Sequence, residues 1–230
     1  MEKTIQQNLS TLKSNFEKGA LRDIDDRLKL LNHLEQKIRE HEDEIYDALK
    51  VDLNKTRTET LMTELALVYD EIQHMKQHLN SYAQPDKPHP GLNQIPGSLE
   101  VRHEPYGVVL IMSPWNYPLN LSLIPLIDAF AAGNLCYLKP SVDASATSQV
   151  LRIILRDLIN QGLVFITEGG REANTALLEQ PFDYFFFTGS PNVGKVVMDA
   201  AAKFPAPCTL ELGGKSPTIV LADADLDLAV

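Results

Sequence analysis

Four short segments of this 230-residue chain place reactive or ligand-binding side chains where an apolar run ends. In Ser113-Pro-Trp-Asn-Tyr-Pro118, two prolines restrict the backbone and hold Trp115 and Asn116 just past the run Val108–Met112. An amide there can donate to a developing oxyanion; the competing reading is a rigid turn in which Asn116 caps the next helix. Lys139 closes the run Leu135–Leu138 in Leu-Lys-Pro-Ser141, where it contacts a ribose hydroxyl or a phosphate, or is simply solvated. The stretch Phe185-Phe-Phe-Thr-Gly-Ser-Pro-Asn-Val-Gly-Lys195 reads as strand, tight turn and helix. Gly189 and Gly194 allow close backbone approach. Ser190 and the opening residues Pro191, Asn192 and Val193 suit a pyrophosphate. This is not the three-glycine dinucleotide fingerprint, so an ordinary strand-to-helix turn also fits. Finally, Glu211 and Leu212 lie in Thr209-Leu-Glu-Leu-Gly-Gly-Lys-Ser-Pro217. A lone carboxylate inside an apolar strand needs a partner or a task. Burial would suit Glu211 to general-base work; a nearby amide or cation is the alternative.

These segments need a scaffold, and composition shows where it lies. Residues 1–80 hold no proline and one glycine, with 12 basic and 16 acidic residues; all 14 prolines and 11 of the 12 glycines follow. The first part therefore reads as helix and the rest as punctuated mixed structure. Ile24, Leu28, Leu31, Ile38, Ile45 and Leu49 mark one amphipathic stripe, and Leu61, Leu65, Val68, Ile72, Met75 and Leu79 another. Residues 81–104 form a proline-rich linker and a protruding excursion in which Leu99–His103 alternates like a half-exposed strand. Beyond residue 105, apolar runs at Val108–Met112, Leu135–Leu138, Val164–Thr167, Tyr184–Phe187, Thr209–Leu212 and Thr218–Leu221 predict strands. Helical stretches near 119–132, 145–160, 171–179 and 192–203 separate them. Apolar strands alternating with helices predict an α/β fold, a doubly wound, mostly parallel, Rossmann-like sheet with ligands beyond its carboxyl ends.

Charge and composition exclude several classes. A net charge of −10 without a lysine or arginine cluster argues against nucleic acid. A 44% hydrophobic content supports a packed core. No apolar run approaches the ~18 residues of a membrane helix. Two cysteines and no secretory leader predict a reducing, cytoplasmic setting. His74 and His78 lack a third ligand and read as a solvated pair; Asp223, Asp225 and Asp227 read as helix capping, so no metal is expected.

Taken together, Tyr106-Gly-Val-Val-Leu-Ile-Met-Ser-Pro-Trp-Asn-Tyr-Pro118, Ala131-Ala-Gly-Asn134, Leu138-Lys-Pro-Ser141, Phe187-Thr-Gly-Ser-Pro-Asn-Val-Gly-Lys195 and Leu210-Glu-Leu-Gly-Gly-Lys-Ser-Pro217 resemble the NAD(P)-dependent aldehyde dehydrogenase superfamily. The wording is most like the class 3 branch, which acts on fatty and aromatic aldehydes. The resemblance implies oxidation of an aldehyde to a carboxylic acid through a cysteine thiohemiacetal and thioester. By motif, Asn116 is then an oxyanion donor and Glu211 the general base. Lys139 binds the adenosine ribose, Gly189 to Gly194 form the pyrophosphate turn, and Trp115 lines the path near the nicotinamide. It also implies a homo-oligomer for a full-length form.

Two departures stand out. Where the family often has a glutamate after Lys-Pro-Ser, this chain has Val142 and then Asp143. Loss of that carboxylate removes repulsion toward a 2′-phosphate, so NADP is expected beside NAD. The family nucleophile, in a Gly-Gln-x-Cys context, has no counterpart in the 19 residues after Glu211 (230 − 211), and no Gly-Gln pair occurs. Cys136 and Cys208 read as inert structural thiols. The expectation is a cofactor-binding half without a catalytic domain and inactive alone, served by a separate C-terminal half. The alternative is a non-catalytic nucleotide-binding module or assembly partner, from a truncated or split gene.

Overall fold

The computed structural model describes residues 1–229. The helical part contains α1 (Glu2–Glu17), α2 (Ile24–Glu40), α3 (Glu42–Leu53), α4 (Arg57–Thr60) and α5 (Ala66–Tyr82). A π-helical turn, Leu61–Leu65, joins α4 to α5. The first apolar stripe is therefore divided at His41, which ends α2 and opens α3.

The second part alternates strands and helices. It runs β1 (Val108–Met112), α6 (Asn120–Ala131), β2 (Leu135–Lys139), α7 (Ser145–Ile154), α8 (Arg156–Asn160), β3 (Val164–Ile166), α9 (Arg171–Leu178), β4 (Tyr184–Gly189), α10 (Pro191–Ala202), β5 (Cys208–Leu212) and α11 (Leu226–Ala229). The predicted helix over 145–160 is two helices broken at Leu155.

All strand pairings are parallel and the order is β3-β2-β1-β4-β5. The expected doubly wound α/β sheet is thus present. β1 and β2 are buried along their whole length, which explains their unbroken apolar runs. α6 packs on β1 and β2, with α2 and α5 outside it; α10 packs on β4 and β5, and α9 joins it to α1. Ile5, Leu12, Leu34 and Ile38 belong to one hydrophobic cluster with Leu110, Leu138 and Phe185.

Two expected strands are not formed. Thr218–Leu221 follows β5 as an exposed, irregular segment. β5 is the sheet edge, so among the described residues no neighbour offers that run backbone partners. Leu99–His103 contributes only a single antiparallel bridge, Val101 to Asp86. Alternation alone cannot make a ladder without an adjacent strand.

Candidate active site

The strand order reverses between β2-β1 and β4-β5, so the crevice of the sheet opens past the carboxyl ends of β1 and β4. A cleft of about 1000 Å³ lies there. Trp115 and Asn116 line it from the loop after β1, Gly189, Ser190 and Pro191 from the turn after β4, and Glu211 and Leu212 from β5. Three of the four segments that the sequence singled out separately thus form three walls of one cavity, and the Lys139 segment lies outside it.

The loop after β1 is held rigidly. Ser113 Oγ lies 2.6 Å from Ser122 Oγ, and Ser122 Oγ also donates to the Pro118 carbonyl at 2.6 Å. Asn116 does not cap α6, whose N-cap is Leu119. The cap comes from elsewhere: the Asn120 amide donates to Glu64 Oε2 at 2.8 Å. Asn116 is left exposed at the cleft.

Glu64 is completely buried and pairs with Lys55, Nζ to Oε1 at 2.6 Å. Burial pushes its carboxyl above the usual range, against the pull of Lys55 and the Asn120 amide. Lys55 Nζ donates further to the Asn116 carbonyl at 3.2 Å and sits 4.1 Å from the centre of the Tyr117 ring. Sequence reasoning missed this pair. Lys55 and Glu64 are nine residues apart across a π-turn, so neither helical spacing nor a motif links them.

After β4, Ser190 is the N-cap of α10 and its Oγ accepts the Val193 amide at 3.4 Å. Pro191 has no N–H to offer, and Asn192 and Val193 are exposed at the helix opening. Gly194 is buried one turn into α10, outside the cleft lining. A β-carbon there would lie 2.8 Å from Leu212 Cδ2, so its missing side chain serves helix–sheet packing rather than ligand approach.

Two expectations about charged groups are corrected. Glu211 is exposed, because β5 is an edge strand and, among the described residues, nothing covers its carboxyl end. Lys139 is buried at 5% exposure, not solvated. It lies outside the cleft lining, at the end of β2 beside Met112, and its Nζ donates to the Pro140 carbonyl at 2.8 Å. Burial draws the ammonium below the usual lysine range, opposed by Asp143.

Neither thiol reaches the cavity. Cys136 is fully buried inside β2, and burial pushes its thiol well up. Cys208 opens β5, about 10 Å along the strand from Glu211 at the ordinary rise per residue. Asp225 Oδ1 accepts the Asp227 and Leu228 amides, a helix cap. His74 stacks on His78 and meets Tyr82. Among the described residues no three side chains form a metal-binding group, and no helix is long and apolar enough to cross a membrane.

A parallel, doubly wound sheet with its cleft at the switch point defines a protein of the dinucleotide-binding α/β class. The model of the aldehyde dehydrogenase family matches residues 1–230, and the chain belongs to that family. It is 39% identical over 222 residues to aldehyde dehydrogenase family 3 member B1 of Mus musculus, an alignment covering 96% of this chain and 47% of that protein. Among solved structures, a substrate-bound state of Staphylococcus aureus AldH superposes with a TM-score of 0.90 at 36% identity, over 98% of this chain and 49% of that one. An NAD+ complex of aldehyde dehydrogenase from Bacillus cereus superposes with a TM-score of 0.82 at 29% identity, over 99% and 47%. The chain thus spans about half the length of the relatives it matches.

Proposed function

We propose that this chain is the NAD(P)-binding half of an enzyme that oxidises an aldehyde to a carboxylic acid. The observation that carries this reading is the single cleft at the switch point, with Asn116 on one wall and Glu211 on another.

The residues present fit a dinucleotide. The turn after β4 sets Ser190 and the opening of α10 at the carboxyl end of the sheet, where a helix terminus favours an anion. Lys139 carries three N–H groups and donates one to Pro140. Its buried ammonium therefore retains capacity for ribose hydroxyls. A bound nicotinamide would supply the hydride acceptor for the oxidation. Asn116 stabilises charge that exists only in the tetrahedral adduct, so it acts on kcat; loss of one such donor costs roughly 2.7–4 kcal/mol. Glu211, exposed at the cleft edge, is placed to take a proton from water or from a thiol brought to it.

That thiol is neither Cys136 nor Cys208, for the reasons of burial and distance given above. On this reading residues 1–230 by themselves bind the nucleotide and turn over no aldehyde, because neither of their thiols reaches the cleft. A robust Cys208-dependent rate with any aldehyde would overturn this.

The direct test is titration of the purified chain with NAD and NADP, followed through Trp115, the single tryptophan, in the cleft wall. Val142 is exposed where an acidic residue would repel a 2′-phosphate. Both cofactors are expected to bind, with affinities within about a hundredfold, or 2.7 kcal/mol, of each other. No response to either cofactor would remove the reading.

A further inference from the structure

The geometry points to Lys55 and Glu64 as positioning residues for Asn116: a buried ion pair on the helical segment that fixes the loop between β1 and α6 from both sides. The inference rests on the proposed function only in the task it gives Asn116.

Lys55 holds one side of the loop. Its Nζ donates to the Asn116 carbonyl at 3.2 Å and lies 4.1 Å from the centre of the Tyr117 ring. Glu64 holds the other, accepting the Asn120 amide at 2.8 Å. The Thr63 carbonyl, in the same π-turn, accepts Asn120 Nδ2 at 2.6 Å. The two charges bind each other at 2.6 Å. The peptide run from Asn116 to Asn120 is therefore clamped at both ends by residues more than fifty positions earlier in the chain. Asn116, at one clamped end of that run, lines the open cleft.

A stability role does not account for this choice of residues. Both groups are almost entirely desolvated, with Glu64 at 0% and Lys55 at 7% exposure. Buried ion pairs can often be replaced by apolar residues of like volume without loss of stability, whereas loss of one partner is strongly destabilising. What an apolar pair cannot supply is a donor for the Asn116 carbonyl and an acceptor for the Asn120 amide. An oxyanion donor has to be held within a few tenths of an ångström of its working geometry. π-turns are frequent at functional sites, and this one carries Thr63 and Glu64.

The test separates the two roles with the double variant K55M/E64L, read by Trp115, which precedes Asn116 directly. Trp115 is half exposed, so its anisotropy decay in the parent chain sets the baseline of local motion. In K55M/E64L the melting temperature should stay near the parent value, while the fast local component of the anisotropy decay grows. NAD(P) affinity should change little, since Ser190 and Pro191 lie on another wall. A stable double variant whose Trp115 anisotropy matches the parent would overturn the inference. Should the double variant fail to fold, E64Q carries the test. It keeps an oxygen for the Asn120 amide but releases Lys55, so Trp115 should again gain local motion; an unchanged decay overturns the inference there too. If the parent chain binds no dinucleotide, the proposed function fails while the anisotropy result still decides the clamp.

Discussion

At the scale of single residues, burial decides which charged groups are consequential. Asp128 on α6 stands beside Glu71 on α5, and its Oδ1 is buried without a hydrogen-bond partner. Desolvation first, then Glu71, pushes its carboxyl up to about 7. A carboxyl whose folded value exceeds its unfolded one binds more protons when folded, so its contribution to stability is fully present below about pH 4 and disappears as the pH rises through about 7. On the order of 4 kcal/mol is at stake, less whatever the surroundings relax. Asp128→Asn supplies permanently the donor that the protonated acid offers Glu71. Urea unfolding of the variant should therefore lack the decline between pH 4 and 7 and exceed the parent at pH 8. A parent chain equally stable at pH 5 and pH 8 would contradict the argument.

At the scale of elements, helix ends here are satisfied by carboxylates from distant helices. α7 has Ala144 at its N-cap and no local side-chain cap. Asp52 on α3 accepts from the Ala146 and Thr147 amides at 3.1 and 2.7 Å, and from Thr147 Oγ1 at 2.7 Å. Asp52→Ala removes those acceptors and should cost about 1–2 kcal/mol, or a fall of roughly 2–8 °C in Tm for a chain of this size. A Tm within a degree of the parent would show that water replaces the cap. The same feature explains what was legible in the sequence. β1 and β2 were readable because both faces are covered, leaving unbroken apolar runs between turn residues. The turns carrying Asn116 and Ser190 were readable because proline and glycine mark them. Glu64 and Asp52 were not, because a carboxylate that caps a helix more than fifty residues away leaves no local pattern. Glu211 was misjudged as buried and Thr218–Leu221 as a strand for one shared reason. Strand sequences carry their apolar character whether or not a neighbour is present, and only topology makes β5 the edge.

At the scale of the whole molecule, the question is whether the helices of residues 1–82 form a unit apart from the sheet. Ile5, Leu12, Leu31 and Leu34 are buried in the same hydrophobic cluster as Leu110, Leu138 and Phe185. The Lys55–Glu64 clamp and the Asp52 cap cross the same boundary. With apolar and polar contacts both shared, loosening the helices must loosen the sheet. Leu34 is fully buried in α2. Leu34→Ala deletes three buried carbons and should destabilise by about 2–5 kcal/mol. If folding is cooperative across the boundary, circular dichroism, dominated by helix, and Trp115 fluorescence, local to the end of β1, should shift to lower denaturant together by the same amount. If the helices unfold on their own, the dichroism midpoint moves while the Trp115 midpoint stays. Coincident shifts would mean that the clamp on Asn116 is as stable as the fold itself, so Asn116 could not be loosened without unfolding the chain unless the clamp residues were changed directly.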